Sequence, residues 1–234
     1  MKEEELLVGI DFSLNSPSIT IKYVFENEEH YQFCSFFNTD GREWLMKDIK
    51  AFKNHKALNN NTDVYMMPYE RKITASDYTE KESQKIADAQ QLSQLIVNYI
   101  KAFINETNLK LTNIKVAIEG FSYGSKGAAY NDLIMYNSFL RKELLTLTTA
   151  DNIFVFSPKH AKKLAGNGNA DKIYMINAFV ENKLKDSLIK KTDLFKYCSS
   201  LDMKNLKPVD DLIDSYFILN CLLWRALSQF SLFL

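Results

Sequence analysis

LLVGIDFSLNSPSITI, Leu6 to Ile21, is the stretch whose reading decides the fold. Leu6 to Ile10, apolar apart from one glycine, has the length and composition of a strand buried on both faces. It ends in Asp11, and Ser13, Asn15, Ser16 and Pro17 follow at once. An unpaired carboxylate is costly to bury, so an acid at the tip of such a strand needs a partner. Two readings meet that demand. Asp11 either opens a turn, a common use of Asp, or it is a metal ligand or catalytic acid.

Working outward, Ile19, Ile21, Tyr23 and Phe25 alternate with mostly polar residues, the period of a half-buried strand. The acidic turn ENEEH follows, and Tyr31, Phe33 and Phe37 restore the alternation. Two such runs joined by a short polar turn pair antiparallel, so the chain opens with a three-stranded meander. Residues 39–80, with the polar run NHKALNNNTD and the aromatic patch VYMMPYERK, read as an insertion, partly helix and partly loop. From about Glu82 to Glu106 the apolar residues recur at helical spacing along one face.

IKVAIEG, Ile114 to Gly120, is a second buried strand, and it too ends in an acid, Glu119. A loop, FSYGSKGAA, leads to a helix over about 130–147, and NIFVFSP supplies another strand closed by Pro158. The glycine-punctuated KHAKKLAGNGNADK precedes a helix over about 170–185. Residues 186–207 are polar, and a last helix starts near Pro208, a favoured first-turn residue. Strands and helices in this order indicate an α/β fold with a mixed sheet. The length of 234 residues suits one domain, residues 1–234, with an insertion at about 39–80 and a variable segment at about 186–207.

Composition narrows the classes of function. Hydrophobic residues make up 46% and charged residues 25%, ordinary for a globular protein in water. Lys+Arg and Asp+Glu both total 29, so the distribution of charge, not its sum, must point to any polyanionic partner. Cys34, Cys198 and Cys221 show no CxxC spacing, which fits a reducing compartment and offers no zinc site. The acidic N-terminus is unlike a secretory signal. Asn220, Arg225, Ser228 and Gln229 interrupt the apolar C-terminal run, so a buried helix or an oligomer contact is expected there, not a membrane span.

The acids then converge. In an α/β sheet, strand ends at one edge lie together and ligands collect there. In VDDLID, Asp211 and Asp214 are three residues apart and so share a helix face. That face continues through apolar Ile218 and Cys221, toward the sheet. First-turn acids also offset the helix dipole, which accounts for Asp210 and Asp211 but poorly for Asp214. Converging acids without bases repel unless cations occupy the site, and hard oxygen ligands suit Mg²⁺ or Mn²⁺. Two such ions activate a water and stabilise the leaving oxygen of a phosphodiester. His30, His55 and His160 are scattered in polar contexts and offer no Ser-His-Asp arrangement.

GID near the N-terminus, AIEG at a later strand end, GNGNADK before a helix and D-x-x-D in the final helix together resemble RuvC-type Holliday junction resolvases. These belong to the ribonuclease H-like superfamily, and the version here is most similar to phage-encoded members. The resemblance covers about residues 6–38 and 82–225. It implies a ribonuclease H-like mixed five-stranded sheet flanked by helices. The family's acidic quartet falls on Asp11, Glu119, Asp211 and Asp214, which implies two Mg²⁺ ions, with Mn²⁺ able to substitute. Its phosphate-contacting lysine falls on Lys172. Bacterial members follow the first acid with Pro-Gly, whereas this chain has Phe12-Ser13, so its turn is built differently. Asp210 beside Asp211 leaves two candidates for one ligand, and the three-residue step to Asp214 favours Asp211.

Local charge agrees with a nucleic-acid partner. From Lys159 to Lys191 eight lysines, among them Lys162, Lys163 and Lys172, face three acids. They bracket Gly166 and Gly168, where backbone N–H groups can approach phosphates, although a solvated basic helix gives the same pattern. Phe121, Tyr123 and Lys126 follow Glu119, and the two rings either pack on the sheet or stack on unpaired bases. The expected function is metal-dependent, structure-selective cleavage of four-way or branched DNA by a twofold homodimer in the cytoplasm. A non-catalytic branched-DNA-binding module and an actin-like or sugar-kinase-like ATP-binding protein are the alternatives.

Overall fold

The structure is a computed structural model that describes residues 4–40, 43–54, 58, 63–109, 111–121, 127–200 and 207–230. Six strands form one mixed sheet: β1 (Glu4–Asp11), β2 (Ser18–Phe25), β3 (Glu28–Asn38), β4 (Val64–Tyr69), β5 (Leu111–Glu119) and β6 (Ile153–Phe156), in the spatial order β4-β3-β2-β1-β5-β6. β1, β2 and β3 pair antiparallel, as the opening meander requires. β1–β5, β5–β6 and β3–β4 pair parallel. The β2–β3 hairpin turns on Glu26 and Asn27, both with positive φ (51° and 67°), the backbone a two-residue hairpin loop demands.

The helices are α1 (Glu43–Lys53), α2 (Tyr78–Thr107), α3 (Ala128–Leu144), α4 (Pro158–Leu164), α5 (Lys172–Val180), α6 (Asp193–Ser199) and α7 (Val209–Phe230). Asp77 caps α2 by accepting from Glu80 N–H, and Asp171 caps α5 by accepting from Tyr174 N–H, each satisfying an orphan donor of the first turn. α2 and α3 cover one face of the sheet, packing on Leu6, Val8, Ile10, Ile19, Ile21, Val116 and Ile118. α4 to α7 cover the other, where Leu7 and Ala117 point. Strand alternation sorts these residues, since neighbours along a strand face opposite ways.

Two expectations change. The sheet is mixed and flanked by helices as expected, but it has six strands, not five. The additional strand, β4, comes from the VYMMPY patch that read as helix and loop. Pro68 and the lack of clean alternation hid it, and an edge position tolerates proline. Residues 186–207 are likewise not merely polar. α6 buries Leu194, Tyr197 and Cys198, and Tyr197 meets Phe52 of α1 edge-on at 4.6 Å between ring centroids. Among the described residues no helix is long and apolar enough to cross a membrane, and the buried residues of α7, from Val209 to Leu222, pack along β1 and β2.

Candidate active site

Strand register brings the first two acids together. Ile10 of β1 is level with Ile118 of β5, so Asp11 and Glu119 stand side by side at the same edge of adjacent parallel strands, about 5 Å apart in backbone spacing. Val8 and Ile10, like Val116 and Ile118, face α2 and α3. Alternation therefore turns both acids toward α7.

Gly9 sets how closely α7 approaches. A Cβ there would stand 2.4 Å from Ser215 O, 2.5 Å from Leu219 Cβ and 2.6 Å from Leu219 N. Only a residue without a side chain permits this contact. Beside it the hydroxyls of Thr20 and Ser215 share a hydrogen bond of 2.7 Å. With Ser215 on Gly9, the preceding turn of the helix, carrying Asp211 and Asp214, lies over the end of β1.

The electrostatics follow from this crowding. Burial first, then Asp214, Asp211 and Glu119, hold the Asp11 carboxyl well above the usual carboxylate range, with Lys207 opposing. Asp214 is pushed up to about 7 by burial and by Asp211, Glu119 and Asp210, against the pull of Lys172. Asp211 and Glu119 are raised as well, chiefly by burial, with Lys207 and Lys162 respectively countering. The four acids thus feel one another.

The loop after Asp11 answers the Phe12-Ser13 departure. Phe12 is buried in the α2–α3 core, and Ser13 Oγ accepts from Ser16 N–H at 3.0 Å. No residue from 12 to 16 has positive φ, so no glycine is needed. The loop is braced by the insertion, because Tyr69 of β4 donates its hydroxyl to Leu14 O at 2.7 Å. Ser16, which the sequence presents as a turn former, also reaches the acids: its Oγ donates to Asp211 Oδ2 at 2.7 Å.

The lysines are distributed around the acids. Lys172, at the start of α5, pairs with Asp210 Oδ2, and Lys162 of α4 lies close enough to Glu119 to lower it. The Lys163 side chain runs along Gly168. Phe121 packs with the Arg141 guanidinium 5.4 Å from its ring centroid and Tyr130 edge-on at 5.9 Å, the packing alternative for this ring. Tyr123 and Lys126 lie outside the described residues. Lys207, which no motif singled out, pairs with Asp211 and reaches Asp210 Oδ2 at 3.2 Å. Its only signal in the sequence is a lysine four residues before a helix-borne acid.

The donor set fits a hard divalent cation. It offers carboxylate oxygens, and among the described residues Asp210 Oδ1 is buried without a hydrogen-bond partner, a situation cations relieve. Yet among the described residues no three His, Cys, Asp or Glu side chains already stand in an arrangement that would hold one ion. Asp210 and Asp211 are turned to Lys172 and Lys207.

No family model and no curated protein matches the sequence. Three of the solved structures that align with the chain cover more than nine-tenths of it. They are Thermus thermophilus RuvC (12% identity, 91% of this chain and 93% of that one, TM-score 0.36), the same protein in complex with a Holliday junction substrate (11%, 93% and 95%, 0.40), and the yeast mitochondrial Holliday junction resolvase Ydc2 (14%, 94% and 77%, 0.42). With every TM-score below 0.5, these likenesses carry no functional weight, and the carboxylate geometry must.

Proposed function

We propose that this protein is a divalent-cation-dependent, structure-selective endonuclease that resolves four-way or branched DNA. The observation that carries the hydrolytic reading is the level placement of Asp11 and Glu119 on adjacent strands, both turned to the helix bearing Asp211 and Asp214. Mutually repelling acids kept together at a sheet edge serve no packing purpose. Asp11, Glu119, Asp211 and Asp214 would hold two Mg²⁺ ions, which supply an activated water and charge stabilisation for the leaving oxygen. Lys162 and Lys172 border the acids and bind the phosphate backbone, and Lys163 extends that contact along Gly168. Such contacts position DNA without reading its sequence. Lys126 and Tyr123, outside the described residues, are DNA contacts in this reading, and Phe121 stays in its packed position. The branched substrate is what the four sequence motifs imply. Paired nicks across a junction call for two copies related by a twofold axis.

The test is a cleavage assay with wild type and Asp11→Asn on a four-way junction and a linear duplex, with and without Mg²⁺. Junction nicking by wild type alone, only with Mg²⁺, is expected. Equal cleavage by Asp11→Asn would remove the site, and duplex cut as fast as junction would remove the selectivity. Because Asp211 is engaged by Lys207, a binding module without catalysis is the second reading, and junction binding with no cleavage under any divalent ion would favour it.

A further inference from the structure

Lys207 lies just before α7 and its side chain is only 22% exposed. The ammonium donates to both carboxylate oxygens of Asp211, stands 3.2 Å from Asp210 Oδ2 and 3.5 Å from Ser16 Oγ. Ser16 in turn donates to Asp211 Oδ2. Asp211 therefore has both oxygens engaged, and a divalent ion bound there meets the positive charge of the ammonium. The structure provides a place for it. Asp210 is 2% exposed, already within reach, and among the described residues its Oδ1 has no hydrogen-bond partner.

We propose that Lys207 is an internal counter-cation that competes with divalent ions for Asp211. It neutralises the acidic cluster when no ion is bound, and on ion binding its ammonium shifts to Asp210. Lys207 is thus a positioning residue that sets the metal affinity of the cluster, and the neighbouring acids divide their roles: Asp211 faces the ion and Asp210 seats the lysine. The inference rests on the divalent-ion reading above.

The experiment is Mn²⁺ titration of the full, EDTA-stripped chain by calorimetry, with thermal melts alongside, for wild type, Lys207→Met and Lys207→Arg. Methionine keeps most of the side chain's length and removes the competing charge, so Mn²⁺ affinity is expected to rise about tenfold or more. The Lys207→Met Tm without metal falls, and the gap to wild type closes at saturating Mn²⁺. Arginine keeps the charge and grips a carboxylate with two parallel bonds, so Lys207→Arg binds Mn²⁺ more weakly than wild type, by about threefold or more. The order Met tighter than Lys tighter than Arg supports the inference. Unchanged or reversed affinities would overturn it while leaving the divalent reading intact. If Lys207→Met fails to fold, Lys207→Arg alone decides by the direction of its shift. A wild type that takes up no Mn²⁺ would instead sink the divalent reading, and this inference with it.

Discussion

Ser16 donates a hydrogen bond of 2.7 Å to Asp211 across 195 residues of chain. It ties the loop that leaves β1 to the helix that returns over it. The bond is buried and its acceptor is charged, so removing it costs about 1.5–3 kcal/mol. Ser16→Ala should lower the melting temperature by about 4 °C or more. It should also slow junction cleavage by loosening Asp211. Calorimetry and single-turnover kinetics check both, and an unchanged melt would show that the bond contributes nothing.

Gly9→Ala tests the approach of α7. The added carbon would lie 2.4 Å from a backbone oxygen, which cannot rotate away. Overpacking of a core costs about 1–3 kcal/mol in milder cases, and about 3 kcal/mol or more is expected here. A soluble Gly9→Ala protein with wild-type stability would mean that α7 shifts freely over β1.

The pH dependence has a definite sign. Folded Asp214 keeps its proton up to pH about 7, whereas the unfolded chain releases it near about 4. Between those values the folded state binds more protons, so stability without metal falls as pH rises, and the full penalty stands above about 7. Asp11, Glu119 and Asp211 are raised too and act in the same direction. Asp214→Asn should therefore melt higher than EDTA-treated wild type at pH about 8, by about 4 °C or more. The difference should vanish toward pH about 4, and a gap independent of pH would rule out this origin.

The insertion is held by a buried polar cluster. Arg71 Nε donates to Asp88 Oδ2 at 3.1 Å, Arg71 Nη2 donates to the Tyr136 hydroxyl at 3.0 Å, and that hydroxyl donates to Asp88 at 2.5 Å. Asp88→Ala leaves Arg71, itself 17% exposed, without its counter-charge, at a cost of about 3–5 kcal/mol. Hydrogen exchange should then rise over residues 63–77 ahead of β1 and β5. Uniform exchange would place the cluster outside the insertion's anchorage.

Much of the frame was legible because it depends on local periodicity. The apolar run ending in Asp11, the second ending in Glu119, and the three-residue step from Asp211 to Asp214 are properties of neighbouring residues, and strand and helix periods convert them into faces. β4 escaped because Pro68 and clustered aromatics disguise its alternation. α6 escaped because a seven-residue helix carries too few turns to display a period.

By itself, then, the sequence determined the strand or helix type of the elements with clear periodicity, the two acid-tipped strands and the shared face of Asp211 and Asp214. Tertiary structure alone decided what surrounds those acids: Gly9 admitting α7, Ser16 and Lys207 engaging Asp211, Lys172 held by Asp210, and Tyr69 bracing the loop at Leu14. The physical reason is range. Periodicity is written into adjacent residues, whereas these pairings, apart from Lys207 with Asp211, join segments far apart in the chain. Even that near pairing depends on the folded chain burying Asp211 among other acids.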